Sequence, residues 1–391
     1  MLKYLSSTQF FIFLLIVAIG AVLMSCSVSE SDVNVPEDIA ALDNVAVYSG
    51  EMTPNNEISF EPEARFGDTD SIFISSVSGI DVADDGTLFL ADGSEAVIHV
   101  YDGAGVYQTS IGRQGEGPGE FQNIGQPELQ NSNLFVLDVV QQRISVFNAD
   151  TFTFQRSFSL GDKEWVRGRP SNMELLPEDR ILVLYNAGER EGNRLKRTKI
   201  PVVLDAEGEV ISSVFLTFNE NNRMLIESGG MFQMFSMPFL GQNIVDVTEN
   251  GEIVTGFTDR FLLHYLSLEG DTLRSVYHAT TPPQLDRQAL LNNMDSEPIR
   301  NELSSMDLPA TRQAFNALKV DDKNRLWISS PTGDTDVYAW RILSGTGETL
   351  AQFNRPASSD LQLVKDGYAY FLEEDEETGV TEVVKYRFTL R

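Results

Sequence analysis

Residues 79–112 read GIDVADDGTLFLADGSEAVIHVYDGAGVYQTSIG. Four apolar runs lie between turns of Gly, Asp, Ala and Ser: one ending at Val82, then Leu88 to Ala91, Val97 to Tyr101, and Val106 to Ile111. Short runs of this kind bounded by turn formers are β-strand signals. The second run has counterparts along the chain in LFVLD from Leu134, ILVLY from Ile181, IVTGF from Ile253, LWISS from Leu326 and YAYFL from Tyr368. Most are followed by a third strand and another turn, as in VFNAD, VVLDAEG, YLSLEG and RILSGTG. The chain therefore carries six copies of one small antiparallel unit.

The second strands start 46, 47, 72, 73 and 42 residues apart. Repeats of about 40–50 residues with four strands each are the spacing of propeller blades. The expected fold is thus all-β, a six-bladed β-propeller of four-stranded antiparallel blades. The two long intervals imply insertions, or leave room for a seventh blade. One insertion falls near residues 219 to 243. The other begins at Pro282 and has apolar residues at helical spacing (Leu285, Leu290 and Leu291; Ile299, Leu303 and Met306), which predicts a short helical insertion over 282–312. The last copy has only three strands, LQLV, YAYFL and EVVKYRF, before the chain stops at Arg391. EISFEPEARFG at 57–67 is placed to supply the fourth and close the ring.

IGRQGEGPGEF at 111–121 invites a phosphate-loop reading, but that pattern needs Lys and then Ser or Thr after its last glycine. Here Gly119 is followed by Glu120 and Phe121. The stretch reads instead as a crossing from the first blade to the second, with glycines and Pro118 bending the chain and Phe121 plugging the gap between sheets.

The amino terminus, MLKYLSSTQFFIFLLIVAIGAVLMSC, is apolar without interruption from Phe10 to Met24. That is short for a bilayer span of about 20 residues and fits a secretory signal. Leu23, Met24, Ser25 and Cys26 resemble the bacterial lipoprotein box, in which the Cys is lipidated; an uncleaved anchor with an incidental Cys is the other reading. Cys26 is the chain's only cysteine, so no disulfide is available. The expected division is a signal peptide at 1–25, a flexible tether at 26–55 rich in Ser, Asp, Glu, Asn and Pro, and the propeller at 56–391. Lys3 is the only charged residue before Cys26, so the mature chain would be one unit more negative than the full chain's −29. Such a surface repels phosphate backbones, which sets nucleic acid aside as a partner. The densest acidic run, Glu373 to Glu377, reads as a solvated hairpin tip.

On these residues, GIDVADDGTLFLADGSEAVIHVYDGAGVYQTSIGRQGEGPGEF resembles an NHL repeat. The chain from about residue 56 is similar to the bacterial six-bladed β-propeller lipoproteins, with GEIVTGFTDRFLLHYLSLEGDTL, TTPP and LPATRQAFNALKVDDKNRLWIS fitting as well. Later repeats lack the GPGEF element. The resemblance implies the fold and a bacterial cell-envelope setting, anchored through lipid on Cys26 in the outer membrane or facing the periplasm. It implies no common reaction.

Catalytic motifs are few. His99 in VIHVYD and His264 in LLHYLS fall at one third-strand position, away from a propeller's axis, and His278 follows a fourth strand. No GxSxG, HExxH or paired CxxC occurs. One pattern stands out: each inner strand carries a polar residue between apolar or Pro neighbours, namely Asp81, Glu128, Glu174, Asp246, Lys319 and Gln362. Inner strands line the axis, so early residues of each strand would converge there as a ring. Crowded carboxylates either shift their pKa values or recruit a cation. Asp81, Glu128, Glu174 and Asp246 are the candidate metal ligands, with calcium the fitting ion; the other reading is a hydrated channel in which Lys319 pairs with the acids. A second candidate surface is the loop group Arg113, Trp165, Arg167 and Arg169, suited to an anionic or sugar ligand, or else to salt bridging between blades. Two functions remain from the sequence: a non-catalytic, monomeric binding or scaffold propeller for a peptide, glycan or protein partner, or a calcium-assisted hydrolase or lyase using the channel carboxylates.

Overall fold

The apolar second strands lack inside–outside alternation because both of their faces are covered. Every residue of Leu88–Asp92 is buried, as are all but the first of Asn133–Asp138. A strand in the middle of a blade has a neighbouring blade against each face, so both sets of side chains leave water. The computed structural model describes residues 34–391 except 51–53, 55, 70–71, 162–167, 192–193, 214–217, 221–222, 229–230, 238, 293, 295 and 375–378.

Six sheets form six blades. Their inner strands are Val77–Val82, Ile124–Gln130, Arg169–Leu176, Asn243–Val247, Ala317–Val320 and Asp360–Lys365. Blades 1, 2 and 5 are four-stranded and antiparallel in chain order. Blade 6 takes its outermost strand from the other end of the chain: Ile58–Phe66 pairs antiparallel with Thr381–Leu390, from Ile58 opposite Leu390 to Phe66 opposite Val383. Glu57 and Arg391 extend this ladder with two backbone hydrogen bonds of 2.9 Å. The ring is closed as the sequence predicts.

Six apolar clusters fill the six interfaces between blades. Phe89, Val100, Leu134 and Phe147 join blades 1 and 2; Phe371, Trp327 and Trp340 join blades 5 and 6. Phe66, Tyr101 and Tyr370 meet at the closing interface, where Phe66 lies 5.9 Å from the Tyr101 ring and 6.4 Å from that of Tyr370. The crossing at 111–121 is built as expected. Phe121 is fully buried 5.8 Å from Phe147, and a Cβ on Gly112, whose φ is +79°, would come within 2.4 Å of the Phe121 ring. Asp92 and Asp138 brace corresponding corners. One oxygen of each accepts N–H groups of the following turn, and the other accepts from the preceding crossing, at Ser75 and Gln122 respectively.

The long intervals hold insertions and no seventh blade among the described residues. In blade 3 the strands Arg180–Glu191 and Arg194–Leu204 run long, and the hairpin Arg223–Ser228 with Met231–Ser236 continues the same sheet. The second insertion forms helices Arg287–Asn292 and Glu297–Ser305. Arg287 donates to the carbonyls of Leu303, Ser304 and Met306 at the end of the second helix, clasping the pair.

The expected tether is corrected over part of its length. Val45–Ser49 adds in parallel to the outer edge of blade 4, beside Thr272–Ala279. Tyr48 stacks on His278 at 5.0 Å and donates to the Thr346 carbonyl, while Arg341 donates to that of Gly50. Polar composition around VAVYS disguised a strand that an open sheet edge could recruit. In the acidic run, Glu373 is half-buried and accepts from Arg355, Ser359 and Tyr386, Glu374 is exposed, and Asp375 to Glu377 lie outside the described residues. The signal region and Cys26 also lie outside them; no described helix is long and apolar enough to cross a membrane.

Phe66 is 1% exposed and Phe73 is 71% exposed. Phe66→Ala is expected to lower the unfolding free energy by about 3–5 kcal/mol through the cavity it leaves, whereas Phe73→Ala should change it by less than about 0.5 kcal/mol. Urea titration followed by circular dichroism reads both.

Candidate functional site

The inner strands bring Asp81, Glu128, Glu174, Asp246, Lys319 and Gln362 to one axial cavity of about 500 Å³. They lie in the middle and later parts of their strands, not early. The cavity continues past them to Lys365, the last residue of its inner strand, and to Glu249 and Asp322 in the turns between first and second strands. Its wall therefore carries six carboxyl groups against two amines.

The acids fall into two kinds. Asp81 and Asp246, in blades 1 and 4 on opposite sides of the ring, act as bridges. One carboxylate oxygen of Asp81 accepts from the Val82 N–H and the other from Leu129 in the next blade, both at 2.6 Å. Asp246 does the same with Val247 at 2.7 Å and Val320 at 2.9 Å. These bonds tie blade 1 to blade 2 and blade 4 to blade 5 at the axis. Glu128 and Glu174 instead accept side-chain amides two residues back on their own strands, from Gln126 at 2.9 Å and Asn172 at 3.0 Å. Alternation along a strand puts residues i and i+2 on one face, which explains both pairs. In blade 6 the pair is reversed, with Gln362 donating to Asp360 at 2.8 Å.

Desolvation dominates the electrostatics. It raises Asp81 to about 6 against the opposing influence of Lys365 and two backbone donors. Glu174 rises to about 8 through desolvation and then the charge of Asp246, opposed by Lys319. Glu128 is pushed well up by desolvation and then by Glu174 and Asp81. Asp246 is raised by desolvation, with Lys319 opposing. For Lys319 desolvation acts downward, but Asp246, Glu174 and Glu128 outweigh it and hold the amine charged. Lys365 donates to the Val82 carbonyl at 2.7 Å, linking blades 6 and 1.

The four candidate metal ligands share the cavity without forming a coordination sphere. Among the described residues no three His, Cys, Asp or Glu side chains are grouped as a metal ion requires. Asp81 and Asp246 have both oxygens committed to backbone N–H groups. The donor set does not fit a resident calcium ion in this arrangement.

Of the second candidate surface, Arg113 and Arg169 are described, and both lie where chain crossings enter the inner strands. Arg113 donates through Nε and Nη2 to Glu120 at 2.8 and 2.6 Å, closing its own loop. Arg169 is exposed at the start of its strand. Trp165 and Arg167 lie outside the described residues. His99 and His264 occupy matching third strands, their Nδ1 atoms 3.0 Å from Ser110 Oγ and 2.9 Å from Ser275 Oγ, away from the axial lining. Sequence reasoning missed Asp360 and the outer tier of Glu249, Asp322 and Lys365. The i, i+2 relation to Gln362 signals Asp360; Lys365 closes its inner strand, and Glu249 and Asp322 each stand two residues past the end of theirs.

Residues 68–240 match the model of a family described as a 6-bladed β-propeller. Two solved structures are similar over most of their length. One, a candidate exported protein from Bacteroides fragilis, is 14% identical with a TM-score of 0.52, covering 89% of this chain and 99% of its own. The other, a member of the duf4221 family from Bacteroides vulgatus, is 12% identical with a TM-score of 0.55, covering 86% and 99%. At such identities the likeness is one of fold. No curated protein is a significant match.

A carboxyl whose folded-state pKa lies above its unfolded value stabilises while protonated, and that contribution is lost as pH rises toward the folded value. Glu174, raised from the ordinary range to about 8, should therefore weaken the fold between about pH 4.5 and 8. Glu174→Gln is expected to have a higher Tm than the parent at pH 8 and a similar one at pH 4.5. Asp81→Ala and Asp246→Ala should instead cost about 1–3 kcal/mol each by orphaning backbone donors. Thermal melts across this pH range separate the two kinds of acid.

Proposed function

We propose that the protein is a non-catalytic binding propeller of the bacterial cell envelope, anchored by lipid on Cys26 after removal of residues 1–25. It takes a Lys or Arg side chain of a peptide or protein partner into its axial cavity. The observation that carries this reading is the charge of the wall: six carboxyl groups against Lys319 and Lys365. A low-dielectric cleft lined by one sign of charge focuses its field on an incoming ion of the other sign. An arriving cation would favour the ionised forms of Glu128 and Glu174, so capture is coupled to proton release. The envelope setting is supported by the apolar run at 10–24 followed by Cys26, and by the exported character suggested in the name of the similar Bacteroides fragilis protein. The commitment of the carboxylates to N–H donors favours binding over metal-assisted catalysis.

Tetralysine is the probe. Calorimetry on the full-length protein in lipid nanodiscs is expected to show binding roughly tenfold tighter at pH 8.5 than at pH 6, with net proton release, because Glu174 ionises within that window. The double variant Glu128→Gln, Glu174→Gln should lose most of the affinity. Equal binding of fully acetylated tetralysine, or no effect of the double variant, would overturn the reading.

The anchor has its own measurement. Metabolic labelling with a radiolabelled fatty acid is expected to tag the parent protein and not Cys26→Ser, and an unlabelled parent would refute lipid attachment at that residue.

A further inference from the structure

A second cavity, of about 450 Å³, lies beneath the helical insertion. It is independent of the axial site. The short ladder that frames it joins Pro283–Leu285 to Ala310–Arg312: Leu285 N donates to the Ala310 carbonyl at 2.9 Å and Arg312 N to that of Pro283 at 2.8 Å. Phe239, Leu285, Leu290 and Met294 supply apolar wall, and the hairpin tip of blade 5 at Thr332 to Thr335 faces them. The volume falls within the range of about 300–1,000 Å³ typical of small-molecule pockets, and the mix of apolar wall with a few polar groups is typical as well.

Arg312 sets the chemistry. Its Nη1 donates to the Thr332 carbonyl at 3.0 Å, and among the described residues it forms no ion pair. A guanidinium has five N–H donors, so its Nε–Nη2 edge remains for a planar, bidentate anion. Among the described residues the only carboxylate in the lining, Asp286, accepts at one oxygen from the N–H groups of Gln288 and Ala289, both at 3.0 Å. Asn316 and Tyr338 also line the cavity, and their side-chain polar atoms have no hydrogen-bond partner among the described residues. In a chain of net charge −29, a half-buried guanidinium without a carboxylate partner among the described residues, set at an apolar cavity, is an uncommon arrangement.

We propose that this cavity binds an amphipathic monocarboxylic acid, with its carboxylate on Arg312 and an apolar body of about ten carbons against the wall formed by the helical insertion. One guanidinium balances one negative charge, which selects a monoanion. Asn316 and Tyr338 line the same cavity and can supply further donors to the bound acid.

The probe is 4-phenylbutyrate, with neutral 4-phenylbutanamide as the control, titrated calorimetrically into the full-length protein in nanodiscs against empty nanodiscs. The acid is expected to bind at one site, and Arg312→Gln to weaken it at least tenfold, as loss of a charged hydrogen bond would. The amide should bind more weakly and be indifferent to that variant. Ala289→Phe, which fills the cavity from the exposed side of its helix, should abolish binding of both. Thr335→Tyr, from the opposite wall, should do the same if the helix variant fails to fold. Glu174→Gln should leave the affinity unchanged. Absence of binding by the acid, an Arg312→Gln affinity equal to the parent's, or survival of binding in a folded cavity-filling variant would each overturn the proposal.

Discussion

The ladder between Ile58–Phe66 and Thr381–Leu390 is the constraint on which the rest depends. A linear array of five complete blades and a three-stranded sixth would leave one apolar blade face bare at each end. Ring closure buries both ends against each other, which is why the sixth interface contains residues from both ends of the chain, Phe66 and Val383, beside Leu88 and Tyr370. It also fixes the distance of every inner strand from the axis. The axial cavity exists only because the circle is complete, and its width follows from the number of blades.

Within that circle, polar residues at the axis do two different jobs. Asp81 and Asp246 replace part of the backbone pairing that inner strands of neighbouring blades cannot give each other, since those strands belong to different sheets. Gln130 adds to this stitching by donating to the Leu176 carbonyl of the next blade, as does Lys365 to that of Val82. Glu128 and Glu174 make no such link, being held only by amides of their own strands. Their burial raises the cost of ionising them without a structural return visible among the described residues. Titratable groups strongly perturbed by burial and facing a cavity are candidates for a functional site.

Blade number, the closing strand and the helical insertion were legible because each rests on local pattern: period, strand count and the spacing of Leu and Ile residues. The ring of axial residues was legible for the same reason, since a polar residue between apolar or Pro neighbours recurs in all six inner strands. What escaped was of longer range. Val45–Ser49 has no signal of its own beyond five residues and becomes a strand only because blade 4 offers an edge. The role of Arg113 could not be read from its charge, because Glu120 folds back seven residues later to claim it. The distinction between the bridging Asp and the Glu residues depends on reach: the shorter side chain stays beside backbone N–H groups of its own strand end and of the next inner strand, and the longer one bonds a side-chain amide instead.

The seam at Val45–Ser49 has a further consequence for orientation. With the chain pinned from Pro36 to Gly50 along the rims of blades 4 and 5, a lipid on Cys26 would leave only residues 27–35 to span the gap, a reach of at most about 30 Å. The attachment point would then lie at the rim and would hold the edge of blades 4 and 5 within that reach of the bilayer.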